Sequence, residues 1–358
     1  MRRLLPHLKQ WKIHPFWGTA MVATLGCALP LLLGLFSGHS GFLWASIGAF
    51  QAAQSNPLHR FGMLRMLLLI VLGATSVGLG FWSAPDPLTS LLVFASGGLL
   101  LAWFQRFGSE TGKLGISMLV CLCLGQGQQS LGNIPNPYAV AMLFTLGGLW
   151  VALLAFGLRG LHGLRMWPYM PRLFSVLKVL RRHASRLPRQ EWRMYALGCT
   201  LACALAGLIV NLAHLPRGYW LSLALVASLQ MDFTDELLRK LQVALAGLLA
   251  AGLLVLIGHT LQSPPQMVMI VLPLILLNRA FQMKDYGFFV MQMTFCFVLL
   301  TESLARDWEQ YQWRLINSMI GVALALLVAL LVYGVHLLML RRASRLAAVA
   351  QPRTDSQP

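Results

Sequence analysis

Residues 214–252 read HLPRGYWLSLALVASLQMDFTDELLRKLQVALAGLLAAG, and the fold is decided by how this stretch is understood. An aromatic pair, Tyr219-Trp220, opens an apolar run too short to cross a bilayer comfortably. The run stops at a burst of charge (Asp232, Asp235, Glu236, Arg239, Lys240), and a longer Gly/Ala-rich apolar run follows. Residues 41–80 repeat this arrangement. Gly41-Phe42-Leu43-Trp44 parallels Gly218-Tyr219-Trp220, Gln54-Ser55-Asn56 parallels Gln230-Met231-Asp232, and Arg65 falls near the place of Lys240. Gly73-Ala74-Thr75 answers Ala246-Gly247, and Phe104-Gln105 answers Phe281-Gln282.

Working outward, the 358 residues are 57% hydrophobic and 11% charged, with a mean hydropathy of +0.67. Soluble chains carry about 25% charged residues. Repeated apolar runs of helix-spanning length, without the alternating segments of a β-barrel, predict an all-α polytopic membrane protein. About twelve spans are expected, at 18–36, 41–55, 64–82, 88–105, 112–129, 138–158, 194–213, 218–231, 237–258, 266–281, 286–303 and 315–340. They group as two six-helix repeats, 18–158 and 194–340. An even number of spans per half puts both halves the same way up, about an axis along the membrane normal.

The remaining segments are a basic N-terminus (1–17), a basic linker (159–193) and a tail (341–358) that reads as disordered after Arg341-Arg342. The N-terminus lacks the short apolar core and cleavage site of a signal peptide and is expected to stay cytoplasmic. That placement leaves only Arg217, Arg306 and Arg314, of 28 Lys and Arg, on the far side. Both termini are therefore expected in the cytoplasm. The formal net charge of +17 is dispersed among loops, which suits anionic lipids of the inner leaflet and not nucleic acid. Within the linker, 173–182 can form an amphipathic helix on that leaflet. All six cysteines (Cys27, Cys121, Cys123, Cys199, Cys203, Cys296) lie in apolar runs without His neighbours, so they read as packing residues.

Tyr219-Trp220, the apolar run after it, Leu229-Gln230-Met231-Asp232-Phe233 and Arg239-Lys240-Leu241-Gln242 ahead of a Gly/Ala helix resemble the fusaric acid resistance protein-like family. That group includes exporters of aromatic carboxylic acids in bacterial inner membranes. Met231, Val243 and Ala246-Gly247 depart from the family pattern, which has Pro, a second Arg and Gly-Thr there. The resemblance implies a multi-pass inner-membrane exporter of small aromatic or other organic acids. Larger members carry a cytoplasmic domain where this chain has only its basic linker.

Candidate residues each admit two readings. Asp232 either caps the following helix, beside the i,i+4 pairs Asp235–Arg239 and Glu236–Lys240, or couples transport to protons from a cytoplasm-facing vestibule. Gln54, Asn56 and Gln230, with Gln51, lie near the inner ends of the two shortest spans. They serve as interhelical hydrogen-bond groups or as part of a transport site. Arg279 is a positive-inside loop cation or a bidentate carboxylate holder. Trp44, Tyr219 and Trp220 form an interfacial aromatic belt or stack an aromatic substrate.

No nucleophile elbow, phosphate-binding loop or zinc-protease motif occurs, so neither an enzyme nor a cofactor or metal is expected. A small organic acid is the expected substrate, moved by an ion gradient. A second copy or a periplasmic adaptor is a candidate partner. The rival from another class is a non-transporting scaffold or envelope-assembly partner acting through the basic linker.

Overall fold

The computed structural model describes residues 16–55, 62–127, 134–165, 189–229, 249, 263–281, 296, 299–300 and 311–350. Within them are ten helices: α1 (Trp17–Ser37), α2 (Phe42–Ala52), α3 (Gly62–Ser83), α4 (Pro87–Arg106), α5 (Ser109–Gln126), α6 (Pro137–Arg165), α7 (Arg189–Leu212), α8 (Tyr219–Ser228), α9 (Pro264–Ala280) and α10 (Tyr311–Ala350). No strand occurs among the described residues. Most of the expected segments 237–258 and 286–303 lies outside them.

Six helices are long and apolar enough to cross a membrane: Trp17–Ser37, Gly62–Ser83, Pro87–Arg106, Pro137–Leu158, Trp192–Leu212 and Trp313–Val335. At 1.5 Å per residue each covers the roughly 30 Å hydrocarbon core. Four apolar helices are shorter: Phe42–Ala52, Thr111–Gln126, Tyr219–Ser228 and Pro264–Ala280. α2 and α8 reach only about half-way across such a core.

Local sequence accounts for the ends. Gly38, at φ 69°, closes α1 in the left-handed conformation that glycine adopts without strain. α4 starts on Asp86, whose carboxylate accepts from the Thr89 amide at 2.9 Å, with Pro87 in the first turn. This holds the Asp86 carboxyl below its ordinary value. At the other end of the chain the reading of a disordered tail is corrected for 341–350, because α10 continues to Ala350, and 351–358 lie outside the described residues. The Arg, Leu and Ala of 341–350 are good helix formers, and no proline occurs before Pro352.

Large apolar side chains face outward along the long helices at helical spacing. Met21, Leu25, Leu29 and Phe36 do so on α1, as do Met142, Leu146, Leu149, Leu153 and Phe156 on α6. A water-facing surface of this kind would drive association; against lipid it costs nothing. α2 is the opposite case. Residues 43–52 are buried on every face, so the helix is a core element enclosed by longer neighbours.

Two buried clusters build the interior. One joins α1, α2, α3 and α6 to Tyr219 and Trp220 of α8 and to Val268, Val271 and Ile275 of α9. The other joins α4, α5, α7, α8 and α10. Chief pairings are α4 with α7, α3 with α5 and α6, α2 with α6, α8 with α10, and α9 with α1. Small residues permit these approaches, as membrane helices require. A Cβ on Gly147 would overlap the Ala45 carbonyl, and one on Gly321 the Leu221 carbonyl.

Candidate functional site

α2 ends in a tight turn instead of continuing across the membrane. Its last carbonyls are taken by Ala53 N (to Ala49, 2.9 Å), Gln54 N (to Gln51, 3.2 Å) and Ser55 N (to Ala52, 3.2 Å). Gln54 Nε2 donates to Gln51 Oε1 at 2.9 Å, so the two predicted amides pair with each other. Gln51 is buried, and so is Ser55, whose hydroxyl finds no partner.

The last turn of α9 is brought against this break. Phe16 N donates to the Ala280 carbonyl at 3.0 Å, and Trp17 meets Phe281 edge-on at 6.0 Å, which ties the end of α9 to the start of α1. Arg279 thereby lies inside the protein, 2% exposed, with Nη2 donating to the Ala53 carbonyl. Its Nε–H has no acceptor, and Asn278 beside it is buried with both amide atoms unpartnered. The ionisable groups that act on Arg279 are the thiols of Cys27 and Cys296 and a second cation, Arg65. The described carboxylate of Asp86 is not among them.

The expectation of a solvated loop cation is therefore corrected. Arg279 lies in the last turn of apolar α9, which is tied to Phe16 and Trp17 at the start of α1 and to the turn after α2. One structural duty is visible, since a guanidinium on Ala53 O caps the C-terminal end of α2. That duty occupies one of five N–H groups.

At the opposite end of the short helices the aromatic belt is also corrected. Trp44, Tyr219 and Trp220 are 0%, 1% and 5% exposed. α2 and α8 are enclosed by longer helices, so their aromatic ends pack inside and do not meet lipid headgroups. The Tyr219 and Trp220 rings lie 5.2 Å apart, and Arg314 Cζ stands 5.5 Å over the Trp220 ring. Asn317 Nδ2 donates to the Pro216 carbonyl at 2.8 Å, fixing the loop that enters α8. Asp232, Gln230 and Asn56 lie outside the described residues. The structure thus brings Gln54 and Arg279 together and sets Tyr219 and Trp220 at the far end of α8.

Sequence reasoning missed two sets of buried polar contacts. Ser222 Oγ donates to Gln126 Oε1 (3.1 Å), Gln126 Nε2 to Ser90 Oγ (3.2 Å), and Ser90 Oγ to the Gly207 carbonyl (3.2 Å), linking α8, α5, α4 and α7. Tyr195 Oη donates to Gln105 Oε1 between α7 and α4. The signal was present in isolated Gln and Ser residues within apolar runs, where each must find a partner. The six cysteines are free and buried, and among the described residues no group of three or more His, Cys, Asp or Glu could hold a metal.

The matched segment begins in α7 and takes in α8, α9 and the first half of α10. Residues 197–328 match the family model described as fusaric acid resistance protein-like. No curated protein and no solved structure matches the chain. The fusaric acid resistance protein-like match and the long apolar helices together point to a multi-pass, transporter-like membrane protein.

Proposed function

We propose that this protein is an inner-membrane exporter of small aromatic or other organic acids, driven by an ion gradient, most simply of protons. Its two six-helix halves stand the same way up, with both termini cytoplasmic. One observation carries the reading: two short helices, α2 and α8, end part-way across and are enclosed in the interior. Corresponding short segments in two halves are the usual place of a transport site, because broken helices leave backbone groups free for a ligand.

Recurring pairings support the repeat. α1 with α2 and α6 is matched by α7 with α8 and α10, and α2 with α6 by α8 with α10. Each half also lends a helix to the other, α4 to α7 and α9 to α1. The glycine contacts keep the same register. Gly147 covers the carbonyl one residue after Trp44, and Gly321 the carbonyl one residue after Trp220.

The test is flux in vesicles reconstituted with the full chain under an imposed proton gradient, against a panel of aromatic and aliphatic acids. Uphill movement of at least one acid, lowered in Asp232→Asn with insertion intact, is expected. If no acid moves above the level of empty vesicles, while deletion of 172–189 abolishes the cellular phenotype, the protein is a scaffold and the proposal fails.

A further inference from the structure

We infer that Arg279 anchors a carboxylate-binding site at the junction of the broken end of α2 and the last turn of α9, completed by Asn278 and Ser55. The inference rests on the transporter reading for its purpose, but its chemistry stands on the junction itself.

A buried guanidinium is stable when a negative charge accompanies it, because losing water costs more than neutral hydrogen bonds return. Arg279 is as buried as any apolar neighbour, yet the groups that act on it are two thiols, one backbone carbonyl and the like charge of Arg65. Among the described groups that act on Arg279 none carries a full negative charge, which leaves an imbalance. A bound anion reverses it, and the imbalance then becomes binding energy for that anion.

The unpartnered groups specify which anion. Arg279 keeps an unused Nε–H, and Nη2, which shares an edge of the planar fork with it, has a second N–H besides the one given to Ala53. That edge matches the two coplanar oxygens of a carboxylate. The Asn278 amide and the Ser55 hydroxyl are buried without partners and gather at the same junction, one beside Arg279 and the other two residues beyond its acceptor. Buried polar groups are seldom left so, and three in one place make a site that a ligand satisfies. The thiols of Cys27 and Cys296 act on Arg279, and the buried cluster they belong to is apolar and suits the carbon body of an organic acid. A spherical inorganic anion would use neither the planar edge nor that body.

The experiment uses the full chain in detergent micelles. Benzoate binding is measured by the shift in thermal unfolding, with sodium chloride at equal ionic strength as the comparison. Saturable stabilisation by benzoate and none by chloride is expected. Arg279→Gln should weaken binding about 10- to 100-fold, the worth of hydrogen bonds to a charged group. Its stability without ligand should stay equal or rise, because an uncompensated buried charge has been removed. Asn278→Ala should weaken binding to a lesser degree and decides the matter if Arg279→Gln does not fold. Arg106→Gln, which alters a cation stacked on Trp192, should bind like the parent. Equal stabilisation by chloride, or parent-like benzoate binding in Asn278→Ala and Arg279→Gln, overturns the site. Benzoate binding without gradient-driven flux keeps the site and removes the transporter reading, whereas flux indifferent to Arg279→Gln removes the site alone.

Discussion

Gly48→Ala tests the claim that α2 is an enclosed core helix. An ideal Cβ on Gly48 would overlap the Phe144 carbonyl oxygen and stand 2.8 Å and 2.9 Å from that residue's carbonyl carbon and Cα. Carbon atoms settle near 3.5–4.0 Å apart, so one helix must retreat by about 1 Å. Neither can do so freely. The obstacle is backbone, and the Phe144 ring is itself held against Gly73, where a Cβ would come within 2.7 Å of it. A gap of that size forfeits a quarter to a half of each dispersion contact along the seam, and overpacking of this kind costs about 1–3 kcal/mol. We expect the upper part of that range and a drop of a few degrees in apparent melting temperature, read at one scan rate because membrane proteins unfold irreversibly. Gly157→Ala is the control. It lies on α6 with nothing near its added methyl, so it should be neutral or gain up to about 1 kcal/mol of helix propensity. If Gly48→Ala melts with Gly157→Ala, α2 is not packed as described and the enclosed-helix argument falls.

Other perturbations probe the polar contacts. Tyr195→Phe leaves the buried Gln105 carbonyl without its donor and should cost about 1–3 kcal/mol. Adding Gln105→Leu should recover part of that loss, which a double-mutant cycle on melting temperature measures. Gln126→Leu removes two hydrogen bonds between helices and leaves the buried Ser222 hydroxyl without its acceptor, so its melting shift should equal or exceed that of Tyr195→Phe. The Asp86 carboxyl is lowered by the Thr89 amide, so the cap contributes fully above its ordinary value of 3.8 and is lost as pH falls through its folded-state value. Asp86→Ala should melt earlier than the parent at neutral pH, and the difference should shrink in acid. Asp86→Asn should keep most of the cap at both.

What could be read from residues alone, and what could not, divides along a physical line. Apolar runs and caps are local, so α1, α4 and α9 begin and end within a few residues of 18–36, 88–105 and 266–281. Whether an apolar helix meets lipid or protein is not local, since both surroundings accept Leu, Ala and Phe. Trp44, Tyr219 and Trp220 therefore read as readily as a belt as they prove to be core. Arg106 and Arg279 make the same point with charge. Each sits in the last turn of an apolar helix, close to a Phe-Gln pair. Arg106 lies at the end of α4, 4.8 Å over the Trp192 ring of α7, and stays half-exposed. Arg279 ends α9 beneath the start of α1 and the turn of α2, where water is excluded. No periodicity or spacing separates the two positions. They differ in what packs over them: Arg106 meets the Trp192 ring of α7, whereas Arg279 ends against the start of α1 and a helix that stops short.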